Sequence, residues 1–245
     1  TLLRQHVPTR SGPPDTTQLG HIAVDTVAHC DDSTAGDSVN SLTFTELSSG
    51  WTENRAVWNK AGHAVLAKVR ELETALPFRM VSFHSDNGGE FLNWPLYEYL
   101  TGRRARVPFT RSRAYRKNDN AHCEQKNWTR VRQLRGYARF GHPELVAPLN
   151  ALYRTRGLYH NHFHPTFKLV KREKKNGKTV KTYEKNPQTP YQRLLARPDV
   201  SKATQAKLRA AHARLDPFAL KKEIERQLRA FFTLLGNLDR EATKP

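Results

Sequence analysis

The stretch from Phe78 to Leu100 constrains the fold of this chain more than any other. Phe78 to Phe83 is an apolar run that reads as a buried strand. Glu90 to Leu100 has the spacing of an amphipathic helix. Between them stands Phe83-His84-Ser85-Asp86-Asn87-Gly88-Gly89-Glu90-Phe91, where Asn87-Gly88-Gly89 is a tight turn that lets a ligand approach the backbone. A strand running through a turn into a helix is a building unit of α/β sheets, and open sheets of that class place their sites at strand C-termini. Asp86 occupies such an end.

Strand signals precede this unit at His21–Ala28, Val39–Leu47 and Thr52–Trp58, the second alternating Val39, Ser41, Thr43, Thr45 against Asn40, Leu42, Phe44. Lys60 to Leu76 carries Ala64, Val65, Val69, Leu72 and Leu76 at helical spacing and stops at Pro77. The second helix is expected over Glu90–Thr101 and a short fifth strand over Arg104–Pro108. Thr110 to Ala121 has no apolar period and reads as a mobile basic loop. Ala121–Tyr137 reads as a helix with Asp119 or Asn120 at its N-cap, Gly141-His142-Pro143 breaks the chain, and Glu144–Tyr159 reads as a further helix. The resulting order is β-β-β-α-β-α-β-α-α.

Composition changes along the chain. Residues 1–100 hold 7 Lys+Arg and 12 Asp+Glu, net −5, and residues 101–245 hold 34 and 11, net +23; these sum to the overall +18. An acidic half joined to a strongly basic half points to a cation-attracting region beside a polyanion-binding one. Residues 1–19 are basic, polar and Pro-containing, and read as a linker from a preceding region. Residues 20–164 form the core. Residues 165–245 form a basic appendage, with a hairpin over 167–185 turning at Asn176-Gly177 and two helices within about 201–238. Pro187, Pro190 and Pro198 suggest an extended link before those helices. The last helix carries the stripe Phe218, Ile224, Leu228, Phe231, Leu235, which serves either the body of the domain or a partner helix.

The two cysteines, Cys30 and Cys123, lie in no paired redox or metal motif, so a reducing, cytoplasmic compartment is expected. No apolar run is long enough for a transmembrane helix and no signal peptide is visible. Because the chain begins at Thr1 and its single Met is Met80, it is expected to be part of a longer protein.

Three carboxylates stand out. Asp25 interrupts the strand His21-Ile22-Ala23-Val24-Asp25-Thr26-Val27, with Asp31 and Asp32 as nearby alternatives in turn-like sequence. Asp86 ends the fourth strand. Glu124 lies in Asn118-Asp119-Asn120-Ala121-His122-Cys123-Glu124-Gln125-Lys126-Asn127, 37 residues beyond Asp86 (124 − 86 − 1). Hard oxygen donors of this kind are what divalent cations need for phosphodiester chemistry.

With these motifs, residues 20–160 resemble the catalytic core of the retroviral-integrase-like DDE transposases, a group containing retroviral integrases and many bacterial insertion-sequence transposases. The stretch Phe109-Thr110-Arg111-Ser112-Arg113-Ala114-Tyr115-Arg116-Lys117 is similar to certain bacterial members. The resemblance implies an RNase H-like α/β fold: a mixed five-stranded sheet flanked by helices. It implies Asp25, Asp86 and Glu124 as catalytic ligands of two Mg²⁺ ions (Mn²⁺ as substitute). By their positions Asn87 and Asn120 are natural hydrogen-bonding supports for these carboxylates, and His84 and His122, two residues from Asp86 and Glu124, read as supporting or packing residues. It implies cleavage of DNA ends and strand transfer, acting on double-stranded DNA as a homo-oligomer on paired ends, in the bacterial nucleoid and away from membranes. It also implies a helix-turn-helix region upstream.

The group often has a basic residue one or two turns after the catalytic Glu. Here those positions are Trp128 and Val131, so Lys126, Arg130, Arg132 and Arg135 are the available substitutes. Further DNA contacts are expected from Arg111, Arg113, Arg116 and Lys117 in the loop, and from Lys171, Lys174, Lys175, Lys178 and Lys181 in the hairpin. Trp128 is a candidate for base stacking or for the core. His160, His162 and His164 alternate as strand residues on one face would, but no Cys or acidic partner accompanies them, which favours a structural or DNA-facing role over a metal site. Two alternatives share these features: an RNase H-like nuclease without strand transfer, and a non-catalytic DNA-binding or assembly protein derived from a transposase.

Overall fold

The computed structural model describes residues 2–10, 12, 14–31, 36–113, 121–135, 139–175 and 178–243, without the side chains of 121, 122, 135 and 172. Along the chain it has a helical turn α1 (Leu3–His6), strands β1 (His21–Ala28), β2 (Val39–Glu46) and β3 (Thr52–Trp58), helix α2 (Gly62–Ala75), β4 (Ser82–Ser85), α3 (Trp94–Thr101) and β5 (Phe109–Arg111). Then come α4 (Ala121–Lys126), a π-helical segment Asn127–Arg132, α5 (Gln133–Arg135), a 3₁₀ turn Pro143–Leu145 and α6 (Val146–Phe163). The remainder is the hairpin β6 (Leu169–Lys175) and β7 (Lys178–Tyr183), then α7 (Pro190–Leu195), α8 (Lys202–Ala213) and α9 (Pro217–Ala242).

The main sheet runs β3-β2-β1-β4-β5, with β1, β2 and β3 antiparallel and β4 and β5 added parallel to β1. This is the RNase H-like arrangement that the sequence resemblance implies. Ile22, Val24, Leu42, Phe44, Val57 and Phe83 point to α2 and α3, meeting Val65, Val69, Leu72, Leu96 and Leu100. On the other face α6 packs along β3, where Asn150 brackets Ala56 through its N–H and C=O and Asn161 does the same at Thr52. The apolar stripe of α9 seals that layer, with Ile224, Phe231 and Leu235 buried beside Leu149, Leu152 and Phe140. From Ile224 onward the stripe therefore serves this domain, whereas Phe218 is exposed. The β2 segment is buried on both sides, as a strand between two helical layers must be.

Several elements differ from the sequence reading. The fourth strand begins at Ser82 rather than Phe78, because parallel pairing with β1 starts at His21↔Ser82. The fifth lies at Phe109–Arg111, not Arg104–Pro108, where it pairs with Phe83–Ser85. The second helix starts at Trp94, capped by Asn93 on the Leu96 N–H. The expected helix over Ala121–Tyr137 is α-helical only to Lys126 before it widens. Helix α6 extends to Phe163, so His160 and His162 are helical and do not share a strand face. The proline-rich link contains α7, with Pro190 in its first turn and a reciprocal Thr189–Gln192 capping box. The segment read as a linker places Leu3 and Val7 in the core. Asp119, Asp32 and the Asn176-Gly177 turn lie outside the described residues. No described helix is long and apolar enough to cross a membrane.

Candidate active site

The sheet register sets the first two carboxylates side by side. Ala23 pairs with His84 across parallel strands, so continuing two residues brings Asp25 level with Asp86 at the end of β4. Asp25 Oδ1 accepts the Thr26 N–H at 2.9 Å and Oδ2 accepts Asn127 Nδ2 at 2.6 Å. Burial raises the Asp25 carboxyl to about 7, and the charges of Asp86 and Glu124 add to the rise against the Thr26 and Asn127 hydrogen bonds. Asp86 Oδ1 accepts the Gly88 N–H at 3.0 Å, which closes the turn. Its carboxyl is also raised, by burial first and then by the charge of Glu90, with the Gly88 N–H and Lys60 opposing.

Glu124 arrives from the opposite layer. Cys123 is fully buried, its thiol donating to the carbonyls of Ala23 and Thr43, which presses α4 onto β1 and β2. The next residue, Glu124, is exposed at the surface near Asp25. The three expected carboxylates thus share one electrostatic neighbourhood. Their oxygens are the hard donors a Mg²⁺-class ion takes, but among the described residues no three His, Cys, Asp or Glu side chains enclose a metal-sized site.

The surrounding residues are only partly those expected. Asn87 turns toward β5, donating to Ser112 O and accepting from Arg111 Nη1, both at 2.9 Å. His84 bonds Thr110 Oγ1 and Ser112 Oγ through its two ring nitrogens, tying β4 to β5. Asn120 lies outside the described residues. Two neighbours escaped the sequence reading. Asn127, one turn beyond Glu124, holds Asp25. Glu90, 8% exposed, folds back over Gly88, where a Cβ would lie 2.4 Å from its Oε2, and pairs with Lys60 Nζ at 3.6 Å. A side chain at this position would have to push the Glu90 carboxylate aside. The i, i+3 spacing of Glu124 and Asn127 on one helix was the available signal for Asn127.

The basic residues divide sharply. A groove of about 850 Å³ runs between the β6–β7 hairpin and the core, lined by Arg113, Lys126, Lys168, Lys171, Lys181 and Arg193. Gln125 and Lys126 bring it next to Glu124. Lys174, Lys175 and Lys178 are exposed on the hairpin, and Lys171 and Lys175 both pair with Glu173. The hairpin base is anchored: Lys168 Nζ donates to Ser48 O, and Arg193 bridges Glu184 and Thr166. Arg111 does not face outward as a loop residue. It lies in β5, with Nε on Val7 O and Nη1 on Asn87. Arg130 is not a surface contact, being 4% exposed between the π-helical segment and α6. Arg132 is half-buried near His29. Arg116 and Lys117 lie outside the described residues. Trp128 is 55% exposed, away from the core.

No family model matches the chain. Among curated proteins it is similar to the uncharacterized protein y4rM of Sinorhizobium fredii (strain NBRC 101917 / NGR234), 36% identical over 182 residues, covering 74% of this chain and 51% of the relative. The chain therefore spans about half the length of that relative. Its structural neighbours include retroviral integrase catalytic cores. One is the catalytic core domain of BIV integrase (16% identity, 47% of this chain and 68% of that one, TM-score 0.36). Another is the HTLV-2 integrase catalytic core domain in complex with magnesium (12%, 62% and 93%, 0.46). A third is a simian T-cell lymphotropic virus intasome in complex with PP2A regulatory subunit B56 gamma (13%, 52% and 44%, 0.43). The fold assignment rests on strand order and register, independently of these superpositions.

Proposed function

We propose that this chain is the catalytic portion of a DDE transposase or integrase of the bacterial insertion-sequence type, cleaving DNA ends and joining them to a target strand. The observation that supports this is the β1–β4 register, which extended two residues past Ala23↔His84 sets Asp25 level with Asp86 just beyond β4, together with the charge of Glu124 raising Asp25. Asp25, Asp86 and Glu124 would hold the divalent cations. When bound, Mg²⁺ or Mn²⁺ supplies Lewis acidity at the attacking and leaving oxygens.

The chain's own residues do the rest. Asn127 orients the Asp25 carboxylate, and the Gly88 N–H fixes Asp86. The basic groove beside α4 receives the DNA backbone and sets its register without reading sequence. Assembly as a homo-oligomer on paired ends, in the nucleoid, belongs to the same reading. The test is an oligonucleotide assay in Mn²⁺. Asp86→Asn and Glu124→Gln should each abolish end cleavage and joining while leaving the circular dichroism spectrum unchanged. Activity retained in either variant removes that residue from the site. Cleavage without joining in the wild type replaces the reading by a nuclease on the same fold.

A further inference from the structure

The groove beside α4 has an apolar wall as well as a basic one. Phe167, Leu169, Val170 and Tyr183 line it from the hairpin side, and they are between 36% and 67% exposed, so no described residue covers them. Leu169 pairs with Tyr183 across the two strands, and the register shifts between Leu169 and Lys171. Such a bulge sets two neighbouring side chains against one on the partner strand, which lets Leu169 and Val170 both line the groove. Lys126, Lys171 and Lys181 line the same space. Lys181 stands two residues from Tyr183 and so shares its face of β7.

Contact with duplex phosphates alone gives this strip no role. Phosphates take cations and hydrogen-bond donors, and a contiguous exposed apolar patch marks another kind of contact. In a duplex the base faces are stacked away and only their edges are open in the grooves. An unpaired strand presents both surfaces at once, phosphates for lysines and bare base faces for aromatic rings. Size agrees with this. The groove holds about 850 Å³, whereas a duplex, whose major groove alone is about 12 Å wide, rests on the rim of such a cleft. Charge points the same way: from Lys168 to Lys185 stand seven Lys and one Arg against two Glu, net +6 (7 + 1 − 2). A polyanion answers that charge, and an apolar protein segment does not.

We propose that this groove holds an unpaired strand of DNA, with its bases stacked on Phe167 and Tyr183 and its phosphates on Lys126, Lys171 and Lys181. This occupant deepens the proposed function and rests on it for the nature of the ligand. Because Gln125 and Lys126 bring the groove next to Glu124, the strand held there is one separated from its complement beside the carboxylates. Binding needs no metal, so the test is run in EDTA. Anisotropy of a fluorescein-labelled oligothymidylate of about 15 nucleotides, near the upper end of the site sizes such grooves take, is followed with the full chain. Phe167→Ala and Tyr183→Ala should each weaken binding about tenfold, or about 1.4 kcal/mol, within what one stacked base contributes. Affinity for a duplex of the same length should hold within about twofold, since its base faces are covered. No charge is removed, so the log K against log[NaCl] slope should stay as in the wild type.

Three controls separate stacking from a structural role. Tyr183→Phe keeps the ring and should bind the single strand as the wild type does. An abasic strand of the same length carries the phosphates without the bases, and wild type and Tyr183→Ala should bind it alike. A strand carrying 2-aminopurine should lose fluorescence when saturated with wild type and keep it when saturated with the double variant. Equal loss on single strand, abasic strand and duplex would mean damage to the hairpin and overturns the proposal. Undiminished single-strand binding in both alanine variants also overturns it and leaves the strip to a protein partner. The catalytic reading fails separately: wild-type protein that selects the single strand yet cuts no DNA in Mn²⁺ refutes that reading alone. Wild-type protein that cuts DNA, while Tyr183→Ala keeps full single-strand affinity, refutes the strand assignment alone.

Discussion

Asp25→Asn should make the metal-free protein more stable, and only above about pH 4, where the unfolded chain ionises this group. Burial first, and then the charge of Asp86, pushes this carboxyl up to about 7 in the folded chain against 3.8 ordinarily. At about 1.36 kcal/mol per unit the ionised form carries a penalty of at most about 4 kcal/mol. The sign follows from proton binding. Below about pH 4 folded and unfolded chains are both protonated here and the group is neutral to stability. Between about pH 4 and 7 only the unfolded chain gives up the proton, so stability falls as pH rises; above about 7 the full penalty stands.

Asparagine remains neutral throughout and keeps the Thr26 N–H on its carbonyl oxygen. Asn127 accommodates it, because its buried Oδ1 has no partner among the described residues and turning the amide over lets that oxygen accept from the new NH₂. Urea unfolding in EDTA, followed by far-ultraviolet circular dichroism at pH 4 and pH 8, measures the effect. The two proteins should match at pH 4, and the variant should be more stable by about 1–4 kcal/mol at pH 8. Parallel pH dependences would refute the reasoning, since every other titrating group is common to both.

Three further outcomes follow. In the Mn²⁺ oligonucleotide assay, Asp86→Asn and Glu124→Gln should lose both end cleavage and joining. Changing Lys171, Lys174, Lys178 and Lys181 to Gln should flatten the salt dependence of duplex binding by about 0.9 for each DNA phosphate the hairpin no longer neutralises. Because the hairpin is exposed along its length, the melting temperature should hardly move. Phe231→Ala should cost about 3–5 kcal/mol in urea unfolding, because Phe231 is 1% exposed with its ring 5.1 Å from Phe140.

The antiparallel part of the sheet was legible because alternation and turn residues are local signals; β1 and β3 run as read and β2 ends one residue early. The parallel strands were displaced because their limits depend on partners distant in sequence. Phe78 and Met80 are apolar for the sake of packing, while β4 starts only where His21 meets Ser82. The widened turn after Lys126 has no residue-level signature, so the direction of Arg130 was invisible and a buried cation was taken for a surface one. Helix α7 did carry its signature, Thr189-Pro190-Tyr191-Gln192, which the surrounding prolines masked. For the candidate site, motif and element single out Asp25, Asp86 and Glu124 as the expected carboxylates. Nothing local singles out Asn127 and Glu90, since their contacts come from how α4 and the Gly88 turn fold onto the sheet.

Arg111 has a practical consequence for anyone trimming this domain. Composition marks residue 20 as the natural place to cut, yet the backbone of Arg111 exchanges hydrogen bonds with Pro8 and Arg10, and its guanidinium holds Val7 O while reaching Asn87. A version starting at β1 would take Leu3 and Val7 out of the core and leave that guanidinium without its main-chain anchor, while it still holds Asn87, the neighbour of Asp86. The domain boundary is thus a decision about the geometry of the carboxylates as much as about solubility.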